Sequence, residues 1–531
     1  MPRRRLAYLL TVVALLGGMA FAMVTTALQQ APTIDEPVYV ATAEVLTQQH
    51  SLRYNPEHPP LGKLLMATGL AFDDVRLDPS YPGDQTRLGR HLLYETGHNP
   101  FRLMLLARLP MILLTLAIGL VVLGFARDLA GPRGGLVALA LYAFSPDVIA
   151  HGSLATLDVP AAGMLLTSFW MLWRSRERPR LYLPLAGLAL GAALATRMSA
   201  LPAVPIVVAL AALSPAVLGR PATWWRSLLS RAAAAIGVGL LAVAVVWLVY
   251  LAVDPRLRWT TPVPNPGGLK GLAVDLLPFP KAYRDGVLIQ FRFESRSFNG
   301  FLLGRAYRGS LWYYLPVALL IKTPLGMLAM WLAGIVTMVV KPALRIALLY
   351  LLLPATALML IAMTGARDYG TRYVVFVPIF LAVVAGTVVL LRFRFARIGA
   401  GVLVAYVAVS SMLTFPYYLP YSNEAFGGTS HTHLNLHDSN VDWGQDLARL
   451  GTRLRERYPN EPVWLVYKGA GVPGYYGIQG RNPLGTPSDE VHGLLVVSDS
   501  RVALAKGQLK QLIDTSTEID NVGYSIRIYR R

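Results

Sequence analysis

The chain has 531 residues, of which 54% are hydrophobic and only 15% are charged. With a mean hydropathy of +0.46, this composition excludes a soluble multidomain protein and indicates a polytopic membrane protein. The net charge is +19, but the arginines cluster between apolar runs, which membrane topology explains better than nucleic-acid binding. We therefore expect no nucleic-acid partner. The absence of cysteine excludes disulfides, thiolate catalysis and cysteine-ligated metals.

The first predicted element is an apolar helix within residues 1–28 that follows Arg3, Arg4 and Arg5. Its apolar run is nearly as long as the ~20 residues that cross a bilayer, so we predict a retained first span and not a cleaved signal peptide. Together with the later apolar runs, it predicts a mainly α, polytopic helical membrane protein of about eleven spans. The later runs lie near residues 101–126, 135–150, 159–173, 181–195, 201–218, 232–253, 311–340, 346–363, 373–391 and 398–418.

Clusters of basic residues separate alternate apolar runs and predict the orientation of the chain. They lie at the N-terminus and near residues 127–133, 174–180, 220–231, 341–345 and 392–397. Lys and Arg in short loops favour the cytoplasmic side, which places the N-terminus in the cytoplasm. We therefore predict a multi-pass protein of the cytoplasmic (inner) membrane with its C-terminal domain outside.

Two domains follow from this pattern: a transmembrane domain in residues 1–419 and an exported α/β domain in residues 420–531. The transmembrane domain carries a first external loop at residues 29–100 and a second long external loop at residues 254–310. After residue 420 the apolar density drops, and β-like runs at residues 463–467, 494–497 and 524–529 alternate with helical patterns. The C-terminal part therefore has the pattern of a small domain with its own core.

An acidic pair, Asp35 and Glu36, follows the first span in the first external loop. Residues 33–36 have the form of a capping box, in which Thr33 caps a helix and Glu36 reaches back to its backbone. Pro37 sits best in the first helical turn, which favours Ile34 or Asp35 as the cap. A carboxylate of Asp35 at a helix N-terminus would be held ionised by the helix dipole and is suited to act as a base.

The same loop contains the segment EHPPLGK at residues 57–63, with Glu57, His58 and Lys63 close together. Its proline pair predicts the start of a helix whose apolar face can lie at the lipid interface. Lys63 on the other flank has two interpretations, namely snorkelling to lipid headgroups or binding an anionic substrate. The charge density of this short segment, opposite the acidic pair, favours the second.

Two further charged residues are predicted at the same outer face, at the openings of later spans. Arg108 lies in the first turns of the second span, where an unpaired guanidinium near lipid is costly. Its natural partner there is the phosphate of an anionic lipid. Asp158 opens the fourth span, either as a simple helix cap or as a member of a substrate site.

This set of residues resembles a known family of membrane enzymes. The acidic pair after the first span, the HPPLGK segment, Arg108 and Asp158 look like those of the dolichyl-phosphate-mannose protein mannosyltransferases. More broadly, they resemble the C-type membrane glycosyltransferases that use polyprenyl-phosphate sugars, including the bacterial aminoarabinose lipid A transferases. Segments at residues 322–324, 372–373 and 438–446 also resemble parts of bacterial relatives.

The resemblance implies a role for most of the candidate site. Asp35 matches the catalytic aspartate and Glu36 its acidic neighbour, while Lys63 and Arg108 fall at positions associated with the carrier phosphate. Glu57 matches a glutamate of the aminoarabinose transferases, and His58 replaces their lysine and is grouped here with the phosphate-binding residues. The mannosyltransferases have their acid two residues before the histidine, so the chain departs from both branches.

We therefore predict an inverting transfer of a hexosyl or pentosyl group from a polyprenyl-phosphate carrier to an acceptor hydroxyl of a protein, lipid or glycan. A polyprenyl phosphate leaves as a stable anion, so one base and cations for the phosphate suffice without a general acid. The sequence indicates no certain cofactor, and a divalent cation near Glu57 stays open. The competing function is a lipid or glycan transporter or flippase, whose charges would lie at the bilayer midplane. A zinc site at His431, His433 and His437 is disfavoured because the ligand spacing is irregular.

Overall fold

A computed structural model describes residues 2–213, 224–392 and 394–531 and is mostly helical. The end of the apolar run at 201–218 and the start of the basic cluster at 220–231 lie outside these residues. The helices are α1 (Pro2–Gln29), α2 (Glu36–Gln48), α3 (Leu61–Leu70), α4 (Gln85–Tyr94), α5 (Pro100–Ala143), α6 (Pro146–Gly152), α7 (Asp158–Ser175), α8 (Pro179–Thr196), α9 (Ala203–Leu213), α10 (Trp224–Val253), α11 (Gly268–Asp275), α12 (Lys281–Glu294), α13 (Tyr314–Lys322), α14 (Leu325–Val340), α15 (Pro342–Arg345), α16 (Leu348–Ala362), α17 (Phe376–Gly386), α18 (Arg394–Thr414), α19 (Thr432–Asn435), α20 (Leu447–Arg457), α21 (Asp499–Val502) and α22 (Gly507–Asp514). The strands are β1 (Asn299–Leu302), β2 (Arg305–Arg308), β3 (Val463–Val466), β4 (Gly480–Arg481), β5 (Leu494–Ser498), β6 (Thr517–Val522) and β7 (Ile526–Arg530).

The apolar helices confirm the mainly α class of a multi-pass membrane protein. Among the described residues, four helices are long and apolar enough to cross a membrane: α1, α5, α10 and α18. Helices α13 and α14 also pass this test as a pair, bent by 115° between Lys322 and Leu325, which brings the number to five. Other apolar helices have 10–17 residues, so the count of about eleven spans stays a prediction.

Two of the membrane helices approach each other closely through glycine. A Cβ atom at Gly187 of α8 would lie 2.8 Å from the carbonyl oxygen of Val238 in α10. At Gly191, one turn later, it would lie 2.6 Å from the Cβ atom of Val245. Small residues four positions apart are a common means of bringing membrane helices into direct backbone contact. The sequence of α8 therefore sets its packing against α10.

The first external loop of the sequence is a folded layer and not an extended connection. Helices α2, α3 and α4 pack on each other and on the N-terminal part of α5. A Cβ atom at Gly69 of α3 would lie 1.9 Å from the carbonyl oxygen of Leu106, so α3 is pressed against α5 at this point. Because this layer is anchored to α5, the residues at the starts of α2 and α3 have fixed positions relative to the membrane helices.

The C-terminal part contains a five-stranded mixed sheet in the order β4-β3-β5-β7-β6. Strand β3 is parallel to β4 and β5, while β7 is antiparallel to β5 and β6. The central strand β5 places Leu494 and Val496 against α20 and places Leu495 and Val497 against α22. Strands β3, β5 and β7 overlap the β-like runs of the sequence. The export of this part and its boundary at residue 420 stay predictions.

Candidate active site

Glu36 and Arg108 form a fully buried ion pair behind the start of α2. The guanidinium donates through Nε to Oε1 of Glu36 at 2.7 Å and through Nη2 to Oε2 at 2.6 Å. The same carboxylate accepts from the backbone N–H of Thr33 at 2.9 Å and from that of Ala155 at 2.8 Å. Burial would raise the pKa of Glu36, but Arg108 and these two N–H groups outweigh it and lower the pKa. The backward reach of Glu36 to Thr33 expected from the capping box is present.

The remaining N–H groups of Arg108 bind the end of α1. They donate to the carbonyl oxygens of Ala27 at 2.7 Å, Gln30 at 3.1 Å and Ala31 at 3.2 Å. The last carbonyls of a helix lack partners within it, so Arg108 satisfies groups that burial would otherwise leave unpaired. All five N–H donors of an arginine are thereby used. In this structure, Arg108 has no donor free for the phosphate that the sequence assigned to it.

Lys63 is buried as well, and its ammonium group is saturated by oxygen atoms of its own loop. Its Nζ donates to the backbone oxygen and the Oδ1 of Asn55, both at 3.0 Å, and to the backbone oxygen of His58 at 2.6 Å. An ammonium has three donors, so none remains for a substrate. Lys63 is buried and does not snorkel to the headgroups; it fixes the turn before α3.

Asp35 lies at the start of α2 and is paired with an arginine far along the chain. Arg372 donates through Nη1 to Oδ2 of Asp35 at 2.5 Å. The Asp35 side chain is 28% exposed, in contrast to the buried Glu36 beside it. Asp35 occupies the N-cap position of α2, but its side chain makes no capping hydrogen bond. The carboxylate is therefore available at the surface of the site and not committed to the helix.

Arg372 is held in place by aromatic rings on two sides. Its guanidinium carbon lies 4.4 Å from the ring centroid of Trp443 and 5.0 Å from that of Tyr373. Nη2 donates to the hydroxyl of Tyr373 at 3.2 Å. Its buried Nε has no hydrogen-bond acceptor within the part of the chain that the structure describes. A buried N–H donor without an acceptor is costly, which makes Arg372 a candidate for binding an anion.

Arg372 lines a cleft whose wall is mostly apolar. Arg197 and Asp158, which form an ion pair, lie in its wall beside Arg372. The apolar part of the wall includes Leu165, Leu358, Ile361 and Phe376. Asp158 is the first residue of α7 and not its cap, which is Leu157. The structure thus brings Asp158 to the same cleft as Arg372, through Arg197.

Glu57 and His58 lie near this centre without joining it. Gln85 donates to Oε1 of Glu57 at 2.9 Å, and Gln290 donates to its backbone oxygen at 3.0 Å. Burial, and secondly the positive charge of Arg197, lowers the pKa of His58 well below its ordinary value. A neutral imidazole adds no positive charge for a phosphate, although it retains one N–H donor.

A metal-binding arrangement is found in one place among the described residues. Asp73, Asp74 and His98 lie close enough to share an ion, but Arg102 already pairs with Asp73 at 3.1 Å. Glu57 and the three histidines at 431, 433 and 437 do not form such a group within residues 2–213, 224–392 and 394–531. The divalent cation near Glu57 stays a prediction.

Sequence reasoning did not single out the two arginines that line the cleft. Arg197 is a lone cation between two apolar runs, which is the same signal that drew attention to Arg108. Arg372 lies in one of the segments that resemble bacterial relatives, but no pattern in the sequence gives it a role. Its partner Asp35 lies 337 positions away, so no local pattern could have joined them.

One part of the chain matches a known protein family. Residues 102–250 match the model of the family described as dolichyl-phosphate-mannose-protein mannosyltransferase. This range contains Arg108, Asp158 and Arg197 and ends before Arg372. A comparison with curated proteins finds no match.

Solved structures that match this chain in a structural comparison include two of ArnT from Cupriavidus metallidurans. The apo form is 15% identical, with 97% of each chain covered and a TM-score of 0.48. The form bound to undecaprenyl phosphate is 14% identical, with the same coverage and a TM-score of 0.47. An apo oligosaccharyltransferase from Archaeoglobus fulgidus is 13% identical, with 85% of this chain and 58% of that chain covered and a TM-score of 0.43.

The family match extends over most of α5, which contains Arg108, over α7, which begins with Asp158, and over Arg197 at the end of α8. It confirms, over residues 102–250, the predicted resemblance to the dolichyl-phosphate-mannose protein mannosyltransferases.

Proposed function

We propose that the protein transfers a sugar from a polyprenyl phosphate to an acceptor hydroxyl at the outer face of the cytoplasmic membrane, with inversion at the anomeric carbon. The observation that carries this proposal is the position of Asp35. Its partly exposed carboxylate contacts Arg372, and Arg372 lines a mostly apolar cleft together with Arg197. A base beside a cationic, lipid-compatible cleft is what transfer from a lipid phosphate requires.

The donor phosphate binds between Arg372 and Arg197 in this proposal. Arginine is suited to phosphate because its planar fork offers paired N–H donors, and Arg372 has an Nε without an acceptor among the described residues. The first isoprene units then lie along Leu165, Leu358 and Ile361. Ile361 is 48% exposed at the edge of the cleft, where the lipid tail can continue into the bilayer.

Donor binding also activates the base. A phosphate anion competes with Asp35 for the guanidinium of Arg372, and the displaced carboxylate becomes free to accept a proton. Asp35 takes the proton of the acceptor hydroxyl while the hydroxyl oxygen attacks the anomeric carbon. The bond between that carbon and the phosphate oxygen breaks, and the two arginines stabilise the charge that collects on the phosphate. An inverting glycosidase needs a second carboxyl group to protonate its leaving oxygen, whereas a phosphate leaves without a proton.

Lys63 and Arg108 have supporting roles in this proposal and not the phosphate contacts first assigned to them. Arg108 joins α1, α2 and α5 through Glu36 and the carbonyl oxygens at the end of α1. Lys63 fixes the turn that carries Glu57 and His58. The acceptor is a hydroxyl of a protein, lipid or glycan, and the sugar is a hexose or pentose. Nothing in the described part of the chain favours the transporter alternative.

Binding of undecaprenyl phosphate to the purified protein in detergent tests the assignment of the phosphate site. We expect Arg372→Ala and Arg197→Ala to raise the Kd by about 10- to 100-fold, because each charge-assisted hydrogen bond contributes ~1.5–3 kcal/mol. The exposed Arg90 of α4 provides the control, and Arg90→Ala leaves the Kd unchanged. An unchanged Kd in Arg372→Ala would refute the phosphate site.

A further inference from the structure

The segment at residues 438–446, which leads into α20, pairs with the backbone beside Asp35. The N–H of Ile34 donates to the backbone oxygen of Trp443 at 3.1 Å. The N–H of Ala31 donates to the backbone oxygen of Gln445 at 2.9 Å. Both donors belong to residues 31–34 and both acceptors to the 438–446 segment, so two backbone hydrogen bonds join the two stretches. The position of the loop that carries Asp35 depends on this contact.

The same segment also holds the loop that carries Arg372. Asn440 is fully buried, and its Oδ1 accepts from the backbone N–H of Thr371 at 3.1 Å. Its Nδ2 donates to the hydroxyl of Tyr314 at 2.9 Å. The N–H of Ser439 donates to the backbone oxygen of Tyr369 at 3.1 Å. One segment thus contacts both halves of the Asp35–Arg372 pair.

Trp443 adds a contact with the guanidinium itself. Its indole is 1% exposed and lies 4.4 Å from the guanidinium carbon of Arg372. A cation held over an indole face is attracted by the ring, most strongly where water is excluded. A contact with the ring uses none of the N–H donors of Arg372, so Trp443 holds the guanidinium without consuming a donor.

The 438–446 segment is in turn fixed by the C-terminal sheet. Oδ2 of Asp442 accepts from the N–H of Ser500 at 3.2 Å, and the Ser500 hydroxyl donates to the backbone oxygen of Asp442 at 3.0 Å. Lys468, after β3, pairs with Asp438. The hydroxyl of Tyr467 donates to the backbone oxygen of Gly444 at 2.8 Å. Residues directly after β3 and β5 therefore hold the segment in place.

We infer that Trp443 and Asn440 are positioning residues of the sugar-transfer site, through which the C-terminal sheet holds Arg372 opposite Asp35. This inference rests on the proposed function. Trp443 fixes the plane of the guanidinium, and Asn440 fixes the backbone next to it. The C-terminal part of the chain is then a component of the transfer site and not an appended binding module.

The first test measures the Kd for undecaprenyl phosphate in variants of Trp443. We expect Trp443→Leu to raise it about tenfold, and Trp443→Phe, which keeps an aromatic face, to raise it no more than about threefold. In an Arg372→Ala background, Trp443→Leu should have no further effect, because it acts through that arginine. Trp464 of β3 is the matched control, since it is a buried tryptophan of the C-terminal sheet whose indole N–H donates to the backbone oxygen of His492. An equal rise in Trp464→Leu, or a full effect without Arg372, would overturn the inference.

A second measurement is independent of lipid binding. Hydrogen exchange at peptides that cover residues 31–36 and 369–373 should be about tenfold faster in Trp443→Leu and Asn440→Ala than in the wild type. The exchange should be unchanged in Trp464→Leu. Unchanged exchange in both site variants refutes the positioning role. A wild-type protein that binds no polyprenyl phosphate refutes the proposed function instead, so the two failures are distinct.

Discussion

Replacing Arg108 by methionine separates the supporting role of this residue from a direct role in phosphate binding. The substitution leaves the carboxylate of Glu36 buried without its counter-ion and removes the donors to three carbonyl oxygens. Removing one partner of a buried ion pair costs about 3–5 kcal/mol. Each carbonyl left unpaired adds to this cost. We therefore expect the free energy of unfolding to fall by at least about 3 kcal/mol.

The loss should depend on pH in a defined direction. In the wild type the pKa of Glu36 is lowered, so its stabilising contribution is complete above the ordinary value of 4.5 and is lost as the pH falls through the folded value. Without Arg108, burial raises the pKa of Glu36 instead. Protonation then relieves the buried charge, and the deficit of Arg108→Met should shrink between pH 7 and pH 5.

Thermal unfolding in detergent at these two pH values measures the effect. The control is Arg102→Met, because Arg102 lies on the same helix, is 63% exposed and pairs with Asp73. An exposed pair contributes at most about 1 kcal/mol. If Arg108→Met unfolds like the wild type and instead loses affinity for undecaprenyl phosphate, Arg108 binds the phosphate and the supporting role is refuted.

Three further predictions concern other parts of the molecule. Lys63→Met should lower the unfolding temperature more than Lys63→Arg, because the methionine leaves three oxygen atoms of Asn55 and His58 without a donor. Equal unfolding temperatures of the two variants would contradict this role of Lys63. Burial raises the pKa of Asp442 to about 7, so the charged form destabilises the fold as the pH rises from about 4 to about 7. The unfolding temperature of Asp442→Asn relative to the wild type should therefore increase between pH 5 and pH 8, and a constant difference would contradict the assignment. The chain has no cysteine, so single introduced cysteines report its topology. An impermeant maleimide added to sealed right-side-out vesicles should label Gly474→Cys, but it should label Glu177→Cys only after permeabilisation. The reverse labelling pattern would contradict the predicted orientation.

The apolar pattern predicted the helical class but not how each run is divided. The runs at 101–126 and 135–150 lie on either side of a break in α5 at Gly131, where φ is +72° and the backbone is not helical, and the second run ends in α6. The single run at 311–340 is two helices bent by 115°. The residue before a proline avoids helical dihedral angles, and Thr323 before Pro324 has φ −100° and ψ +130°. The number of residues in an apolar run therefore does not give the number of straight spans.

The sequence predicted the roles of candidate residues where a local pattern, such as the capping box, applied. It predicted them incompletely where a residue pairs with a partner far along the chain. Residues 33–36 suggested different roles for Asp35 and Glu36, and the two carboxylates do differ in exposure and partners. For Arg108, the sequence signalled a costly charge near lipid but could not name a protein partner 72 positions away. The buried carboxylate of Glu36 takes the place of the expected phosphate.

The central claim is that Asp35 is the base in a transfer from polyprenyl phosphate. Membranes containing the wild type or Asp35→Asn can be supplied with radiolabelled polyprenyl-phosphate sugars, and the label that leaves the lipid is then measured. Asparagine keeps an oxygen acceptor for Arg372 but cannot take a proton, so transfer should fall by about 10²- to 10⁴-fold while undecaprenyl phosphate still binds. Asp84→Asn, a helix cap in the same loop, should transfer normally. Equal turnover by the wild type and Asp35→Asn would contradict the account.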